Sequence, residues 1–200
     1  MKTLKQVTFD EVVQAWLQAE WSLPNFDNIR EKISIDLING RNFDNQADNQ
    51  LRLNILRALR SPMIDSLPQD ITWYVASYDK DDIQRTYIVP SNDWGAVSSN
   101  TYHPLKIMEN LHLDDGHAKK INSIKSSLGK ENLDKRLILI SSDLSSTLTI
   151  IEGNHRGVAI LMDALEKDAK NPIIDEVFIG ISPAMKDYAF HIEKYLAPLK

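Results

Sequence analysis

The sequence predicts an α+β fold, in which an N-terminal helical region precedes a mixed sheet with flanking helices. Residues 1–66 repeat apolar side chains at helical spacing, whereas residues 67–200 alternate between short β-rich runs and amphipathic segments. The pair Leu67-Pro68 separates the two patterns. We therefore predict a helical region over 1–66, packed on an α+β domain over 67–200.

The first region predicts three helices. The first helix follows Thr8, which forms the pattern of a capping box with Glu11. The second is predicted over 25–40, with Gly40 in the position that follows a helix end. The third is predicted from Asn45, with Pro62 after its end. Its apolar side chains are expected to point inward: Leu51, Ile55, Leu56 and Leu59.

The second region predicts strands and helices in alternation. Strands are predicted at 70–78, 83–90, 103–108, 136–142, 148–153 and 173–182. Helices are predicted at 113–128, with Gly129 after the end, and at 154–170, and a helical tail is expected to reach Lys200. This order of elements is typical of a mixed sheet covered by helices.

Composition excludes several classes of function. The chain has a formal net charge of −5 and contains no cysteine. An acidic balance without a cationic stripe disfavours nucleic-acid binding, and the lack of cysteine excludes disulfides and thiol catalysis. The first residues lack the apolar segment of a signal peptide, and no apolar run reaches the roughly 18 residues of a membrane helix. The sequence predicts a cytoplasmic protein without a membrane partner.

A polar junction stands between a predicted buried strand and a predicted helix. The strand runs to Ile151, and the residues Glu152–Arg156 follow. Gly153 permits a sharp turn and the close approach of a ligand. The N-terminus of the helix attracts phosphate, Arg156 offers a planar guanidinium, and His155 offers a donor that is stronger when protonated. These residues predict a phosphate-binding turn.

The acid in this junction has more than one interpretation. Glu152 would repel a bare phosphate, so it is expected to hold a metal ion, orient Arg156, or accept a proton from a substrate hydroxyl. Without a ligand, Glu152 and Arg156 would form an ion pair at the helix end, and Asn154 would be a helix cap. The residues alone leave these interpretations open.

The pentapeptide Glu152–Arg156 resembles the phosphate-binding signature of the ParB/sulfiredoxin superfamily. Its members carry an acid or glycine, then glycine, a variable residue, histidine or arginine, and arginine, between a strand and a helix. The stretch 102–128 resembles the first box of that family, and the order strand, helix, strand, strand, helix extends from about Tyr102 to Leu165. The resemblance implies a ParB/sulfiredoxin-like mixed sheet, and it leaves the N-terminal helical region without a counterpart.

Within the superfamily, the turn is most similar to that of free-serine kinases that use ADP. Sulfiredoxin chemistry is excluded, because Asn154 stands where sulfiredoxins carry their catalytic cysteine. The residues after Arg156 leave no room for the helix-turn-helix domain of partition proteins. The resemblance implies that Gly153, Asn154, His155 and Arg156 bind the phosphates of a nucleotide.

The resemblance to the kinases also implies catalytic roles. Glu109, after the predicted strand at 103–108, matches the position of their proton-accepting glutamate. Glu109 or Glu152 would accept the proton of an alcohol, His155 would act at the phosphate, and Mg²⁺ would be bound by phosphate oxygens and Glu152. The predicted function is phosphoryl transfer from ATP or ADP, with CTP as an alternative nucleotide, to the hydroxyl of a small molecule.

Other functions stay open at the level of sequence. They are a nucleotide-hydrolysing switch, a ParB-like nuclease, and a module that only binds a phosphorylated ligand. The expected partners are a nucleotide and a small-molecule substrate, and a homodimer is compatible with the sequence. The role of the N-terminal helices is left open.

Three further motifs carry weaker signals. His112 and His117 are five residues apart, whereas metal-binding histidines on one helix face are four apart, so a zinc site is disfavoured. The serine-rich segment 141–147 would line a phosphate site or form a plain hairpin turn. Trp94, in a predicted polar loop, would stack on a base or cover the core.

Overall fold

The computed structural model, which describes residues 1–128 and 136–196, contains a six-stranded mixed sheet with flanking helices. This architecture confirms the predicted α+β class. The strands are β1 Lys2–Val7, β2 Thr72–Tyr78, β3 Thr86–Ile88, β4 Ile138–Ser141, β5 Leu148–Glu152 and β6 Ile174–Ile181. The helices are α1 Phe9–Glu20, α2 Asp27–Arg30, α3 Ile35–Asn39, α4 Gln46–Asp65, α5 Asn92–Gly95, α6 Pro104–Asn110, α7 Asp115–Lys125, α8 Asn154–Glu166 and α9 Glu193–Leu196.

Contacts between Cα atoms divide the chain into two compact units. The helical unit is Val7–Leu67, and the α+β unit comprises Met1–Gln6 and the described part of Pro68–Lys200. None of the described helices is long and apolar enough to cross a membrane. The predicted Gly129 after a helix end lies outside the described residues, as does the end of the predicted helical tail beyond Leu196.

The helical unit follows the predicted capping but not the predicted helix lengths. The capping box of Thr8 and Glu11 is present at the start of α1. The single helix predicted over 25–40 is wrong, because Ser34 accepts a hydrogen bond from the Asp36 N–H and starts α3 as a separate helix. Gly40 ends α3 with a φ of −66°, so it does not take the left-handed form.

The α4 helix continues past the proline that was expected to follow it. Arg60 leaves helical geometry with a φ of −132°, and Pro62 lies in the first turn after this kink. Proline is tolerated there, because the first N–H groups of a helical segment have no partner within it. The kinked residue is held by an ion pair of 2.6 Å between Arg60 Nη2 and Oε1 of the buried Glu20.

A buried arginine, not the predicted leucine, lies at the centre of this helical unit. Leu51 is 42% exposed, whereas Arg52 is 1% exposed. The Arg52 guanidinium donates to the carbonyls of Leu37 and Gly40 at 2.7 and 2.8 Å and to Asn49 Oδ1 at 2.7 Å. It thereby satisfies backbone groups at the end of α3, which have no partner within that helix.

Replacing this guanidinium is expected to destabilise the protein. The Arg52→Ala substitution removes the side-chain donor of the Leu37 carbonyl and leaves the Gly40 carbonyl only the Gln14 amide, so the free energy of unfolding should fall by about 3 kcal/mol. The control is Arg57→Ala in the same helix, which removes a half-exposed ion pair to Asp65 and should change stability by less than about 1 kcal/mol. Urea denaturation of both variants measures the difference, and equal losses would contradict this role for Arg52.

The sheet of the α+β unit has the strand order β1-β2-β6-β4-β5-β3. β4 is parallel to β6, and β5 is antiparallel to β4 and parallel to β3. The main core lies between this sheet and helices α6, α7 and α8. It includes Ile107, Ile121 and Leu161 from the helices and Leu139 and Ile150 from the strands.

Two predictions for this sheet are wrong. The segment 103–108 is not a strand, because His103 Nδ1 accepts from the Leu105 N–H and Pro104 takes the first position of helix α6. Proline is well suited to that position, since its φ is already helical. The first strand, β1, was not predicted, because it lies at the edge of the sheet and its residues are mostly exposed and polar.

The other face of β5 is held by the segment around a buried histidine. Thr149 Oγ1 lies 2.7 Å from Nδ1 of His191 and accepts from the Ile192 N–H at 3.1 Å. A neutral His191 can accept the Thr149 hydroxyl proton at Nδ1, and its Nε2 faces Glu193 Oε2 at 3.6 Å. Burial lowers the pKa of His191 to about 4, although Glu193 acts in the opposite direction.

This histidine is expected to make the protein sensitive to acid. The unfolded chain binds a proton near pH 6.5, whereas the folded His191 resists protonation down to about pH 4. The free energy of unfolding should therefore fall by about 3 kcal/mol as pH decreases through this window. In His191→Asn, whose amide oxygen can accept from Thr149, the free energy of unfolding should depend less steeply on pH. His112→Asn changes an exposed histidine and should keep the wild-type pH dependence. The same slope in all three proteins, measured by urea denaturation, would contradict the assignment.

Candidate functional site

The predicted junction lies where β5 passes directly into α8. Ile150 and Ile151 are buried, as predicted. Gly153 follows the strand with a φ of 87°, in the left-handed region, and α8 begins at the next residue. A Cβ on Gly153 would lie 2.8 Å from Arg156 Nη2 and 2.9 Å from Leu137 Cδ2. Both the backbone and the space at this position therefore require glycine.

The arginine of the junction folds back over this glycine. Its side chain is 14% exposed, and Nη2 lies 3.5 Å from Oε1 of Glu152. The ion pair proposed from the sequence is thus present, and it is largely buried. The Nε atom of Arg156 is buried without a hydrogen-bond partner among the described residues. An ion pair to one carboxylate therefore leaves part of the guanidinium's donor capacity unused.

The asparagine of the junction connects two neighbouring strands. Asn154 Oδ1 accepts from the Val89 N–H at 3.1 Å, just beyond the end of β3. β3 and β5 are parallel neighbours, so this bond fixes the end of β3 against the start of α8. Asn154 does not cap α8, because the cap position is occupied by Gly153, and α8 has no side-chain cap.

The histidine of the junction joins an aromatic cluster. His155 Nε2 lies 2.9 Å from Nδ1 of His117, and Nε2 of His117 lies 2.9 Å from the carbonyl oxygen of Asp93. Trp94 stacks on His117 with ring centroids 4.0 Å apart and lies 4.7 Å from the ring of His155. Trp94 is 4% exposed, so it covers the core and these imidazoles and is not available to stack on a base.

The environment of His155 keeps its imidazole neutral. Burial is the main cause that lowers the pKa of His155 to about 4, and the positive charges of His117 and Lys120 act in the same direction. Asp114 opposes them. His155 was predicted to offer phosphate a donor that is stronger when protonated; at neutral pH its ring carries no charge, and Nε2 lies against His117 Nδ1.

Sequence reasoning missed His117 as a member of this site. From the sequence, His117 was considered only together with His112, as a pair of zinc ligands. Its partner in the structure is His155, which lies 38 residues further along the chain. The sequence does place His117 near the start of the helix predicted at 113–128. In the structure, Asp114 Oδ1 accepts from the His117 N–H at 2.9 Å in the first turn of α7. No spacing rule connects that turn to a histidine on another helix.

The predicted catalytic glutamate lies in a different environment from the one expected. Glu109 is in helix α6 and not after a strand, so the correspondence to the kinases that suggested its role is lost. Its side chain is 64% exposed and pairs with Lys106 Nζ at 2.9 Å. A solvated ion pair of this kind is typical of a helix surface.

The described residues contain no group of three or more His, Asp or Glu side chains that could hold a metal ion. Glu152, the predicted metal ligand, contributes a single carboxylate that pairs with Arg156. Mg²⁺ usually keeps several waters and binds through one or two carboxylates together with substrate phosphates. Glu152 fits the role of such a single ligand, but the protein alone does not provide a complete site.

The serine-rich segment forms a local turn. Asp143 accepts hydrogen bonds from the backbone and side chains of Ser145 and Ser146, at 2.6–2.8 Å, and these bonds hold the pKa of its carboxyl far below the usual range. A cavity of about 470 Å³ opens beside it, lined in part by Asp70 and Asp143. β4 pairs Ile138 with Glu152 and Ser141 with Ile181, so this cavity is at the opposite end of the sheet from the junction.

Comparison with family models, curated proteins and solved structures finds no match for this chain. The resemblance to the ParB/sulfiredoxin superfamily therefore rests on the residues of the junction and on the elements around it. In the corresponding part of the structure the order is helix α6, helix α7, strands β4 and β5, and helix α8. The helix, strand, strand, helix part of the expected order is present, and its first strand is replaced by α6.

Substitution of the junction glycine is expected to damage both fold and site. Gly153→Ala places a Cβ in the left-handed region and against Arg156 and Leu137, so the free energy of unfolding should fall by about 2 kcal/mol or more. Gly116→Ala is the control, because this glycine lies in helix α7 near only a flexible Asp114 side chain, and its effect should stay below about 1 kcal/mol. Thermal and urea unfolding measure both variants. Equal stability of the two variants would show that Gly153 is not constrained.

Proposed function

We propose that the α+β unit binds a nucleotide through its phosphates at the N-terminus of α8 and transfers a phosphoryl group from ATP or ADP to the hydroxyl of a small molecule. The reaction class follows from the resemblance of the junction to ParB-like free-serine kinases. CTP is the alternative nucleotide. Phosphoryl transfer needs positioning and charge compensation more than covalent chemistry, so a few residues suffice.

The observation that carries the proposal is the uncapped start of α8. Helices α1, α4 and α7 have side-chain caps from Thr8, Asn45 and Asp114. α8 spans 13 residues and begins after Gly153, which has no side chain to offer. The first N–H groups of a helix attract anions, because they lack intrahelical partners and carry the positive end of the helix dipole. A phosphate would complete this helix end.

The charges around the junction support the same ligand. The guanidinium of Arg156 lies over Gly153, and its Nε is buried without a partner among the described residues. Lys120, on α7, is close enough to His155 to lower its pKa. A chain with a net charge of −5 thus places two cationic side chains beside one helix N-terminus. Guanidinium and phosphate form strong charge-assisted hydrogen bonds.

Glu152 would have two functions beside the phosphates. Its ion pair with Arg156 orients the guanidinium in the absence of ligand. Glu152 would also hold Mg²⁺ that is bound to the nucleotide, and the ion would supply charge compensation at the phosphate oxygens. The proton acceptor for the alcohol is then a histidine, because Glu152 is engaged in binding and Glu109 lies on an exposed helix surface.

Loss of the guanidinium should weaken nucleotide binding. Arg156→Ala removes a charge-assisted contact to phosphate, so the Kd for ADP in the presence of Mg²⁺ should rise by about 10-fold or more. Arg156→Lys keeps the charge without the planar fork and should fall between Ala and wild type. The matched control is Lys167→Ala after the other end of α8, which pairs only with Asp163 among the described residues. Isothermal titration calorimetry measures the three affinities.

The outcomes of that titration separate the candidate functions. Unchanged ADP affinity in Arg156→Ala would contradict the phosphate site at α8. The wild-type protein should bind ADP or ATP more tightly than CTP if it is a kinase, and turnover should rise when a suitable alcohol is added. A preference for CTP without an acceptor would instead favour the nucleotide-hydrolysing switch.

A further inference from the structure

The protonation of the two histidines follows from a chain of hydrogen bonds. His117 Nε2 lies 2.9 Å from the carbonyl oxygen of Asp93, and a carbonyl only accepts, so this nitrogen carries a proton. In the neutral ring, Nδ1 of His117 is then an acceptor. Its partner 2.9 Å away, Nε2 of His155, must donate. His155 is therefore in the tautomer that leaves its Nδ1 unprotonated.

His117 lies beside a carboxylate and an aromatic ring. Asp114 Oδ2 lies 4.0 Å from His117 Nε2, and the ring of Trp94 stacks on the imidazole at 4.0 Å. Carboxylates and aromatic faces both attract cations. Burial lowers the pKa of His155 to about 4, and the charge of Lys120 acts in the same direction. These contacts suit His117 as the ring that receives a proton from His155.

Two other charged groups belong to the junction itself. Arg156 follows His155 directly, and Glu152 pairs with it at 3.5 Å. Neither charge is among the causes that shift the pKa of His155. The charged groups that do act on His155 are His117, Lys120 and Asp114.

We propose that His155 and His117 form a proton relay that activates the acceptor alcohol of the phosphoryl transfer. His155 is the catalytic base, and His117 is a positioning residue that fixes its tautomer and receives the proton from it. This relay deepens the function proposed above and rests on it. It also explains why a histidine bonded to a second histidine lies next to an uncapped helix start.

The relay uses two proton transfers and three ring nitrogens. The alcohol gives its proton to Nδ1 of His155, and the oxygen that loses it forms the new bond to phosphorus. The His155 Nε2 proton passes to Nδ1 of His117. The broken P–O bond leaves its electron pair on the departing nucleotide, and the positive charge remains on His117. After turnover the proton returns from His117 Nδ1 to His155 Nε2, and His155 Nδ1 releases its proton to water, which restores both neutral rings and their tautomers.

Nitrogen-detected NMR of the full chain tests the relay without any ligand. Long-range ¹H–¹⁵N spectra at neutral pH should show protons on Nε2 of both His117 and His155 and none on either Nδ1. A scalar coupling should connect His155 Nε2 with His117 Nδ1. A proton on Nδ1 of neutral His155 would overturn the relay.

Two substitutions separate tautomer control from proton acceptance. In His117→Asn the amide oxygen accepts from His155 Nε2 but cannot take its proton, so the tautomer should persist while kcat falls about 100-fold. In His117→Phe the stacking on Trp94 is kept, but His155 should show both tautomers, with the same loss of kcat. The KM for the nucleotide should change less than 2-fold in both. His112→Asn, an exposed histidine beside α7, is the control and should match wild type.

The results distinguish failure of the relay from failure of the proposed function. Wild-type kcat in His117→Asn would overturn the relay, although the kinase would stand. ADP affinity that is unchanged in Arg156→Ala, with no turnover for any alcohol tested, would overturn the kinase and the relay's chemical role together. The NMR spectra would then still decide which ring nitrogens of His117 and His155 carry protons.

Discussion

The left-handed conformation of Gly153 is the constraint on which the rest of the candidate site depends. β5 is buried along its length, so the chain must turn within one residue to begin α8 at the edge of the core. This single-residue turn sends three consecutive side chains to three neighbours. Asn154 reaches the end of β3, His155 reaches α7, and Arg156 folds back across the glycine. A longer turn would separate these contacts.

The site combines a charged part and a neutral part a few ångströms apart. In the proposed site, the guanidinium and the helix start would provide positive potential for an anion, whereas the paired imidazoles lie beside the buried Trp94 and the pKa of His155 is lowered to about 4. This separation is useful for group transfer, because one set of residues holds charge while another exchanges a proton. It also explains why His155 is a poor candidate for direct, cationic phosphate binding.

Local patterns predicted local structure well. The capping box at Thr8, the buried β5 strand and the start of α8 follow from residues close together in the chain. The wrong or missing predictions depend on packing and on contacts between residues far apart in the chain. An apolar run that begins with Pro104 suits a strand or a first helical turn, and only its packing decides between them. The pairing of His117 with His155 joins two helices, so no periodicity in the sequence indicates it.

The contact between Thr149 and His191 has a consequence for communication through the molecule. Thr149 and Glu152 belong to one strand of five residues, whose opposite faces support the segment around His191 and the helices of the core. A molecule that displaces the His191 segment would therefore disturb the same short strand that an anion at α8 would steady. Thermodynamic reciprocity requires the two effects to be the same: the factor by which the displacing molecule weakens anion binding is the factor by which the anion weakens binding of that molecule.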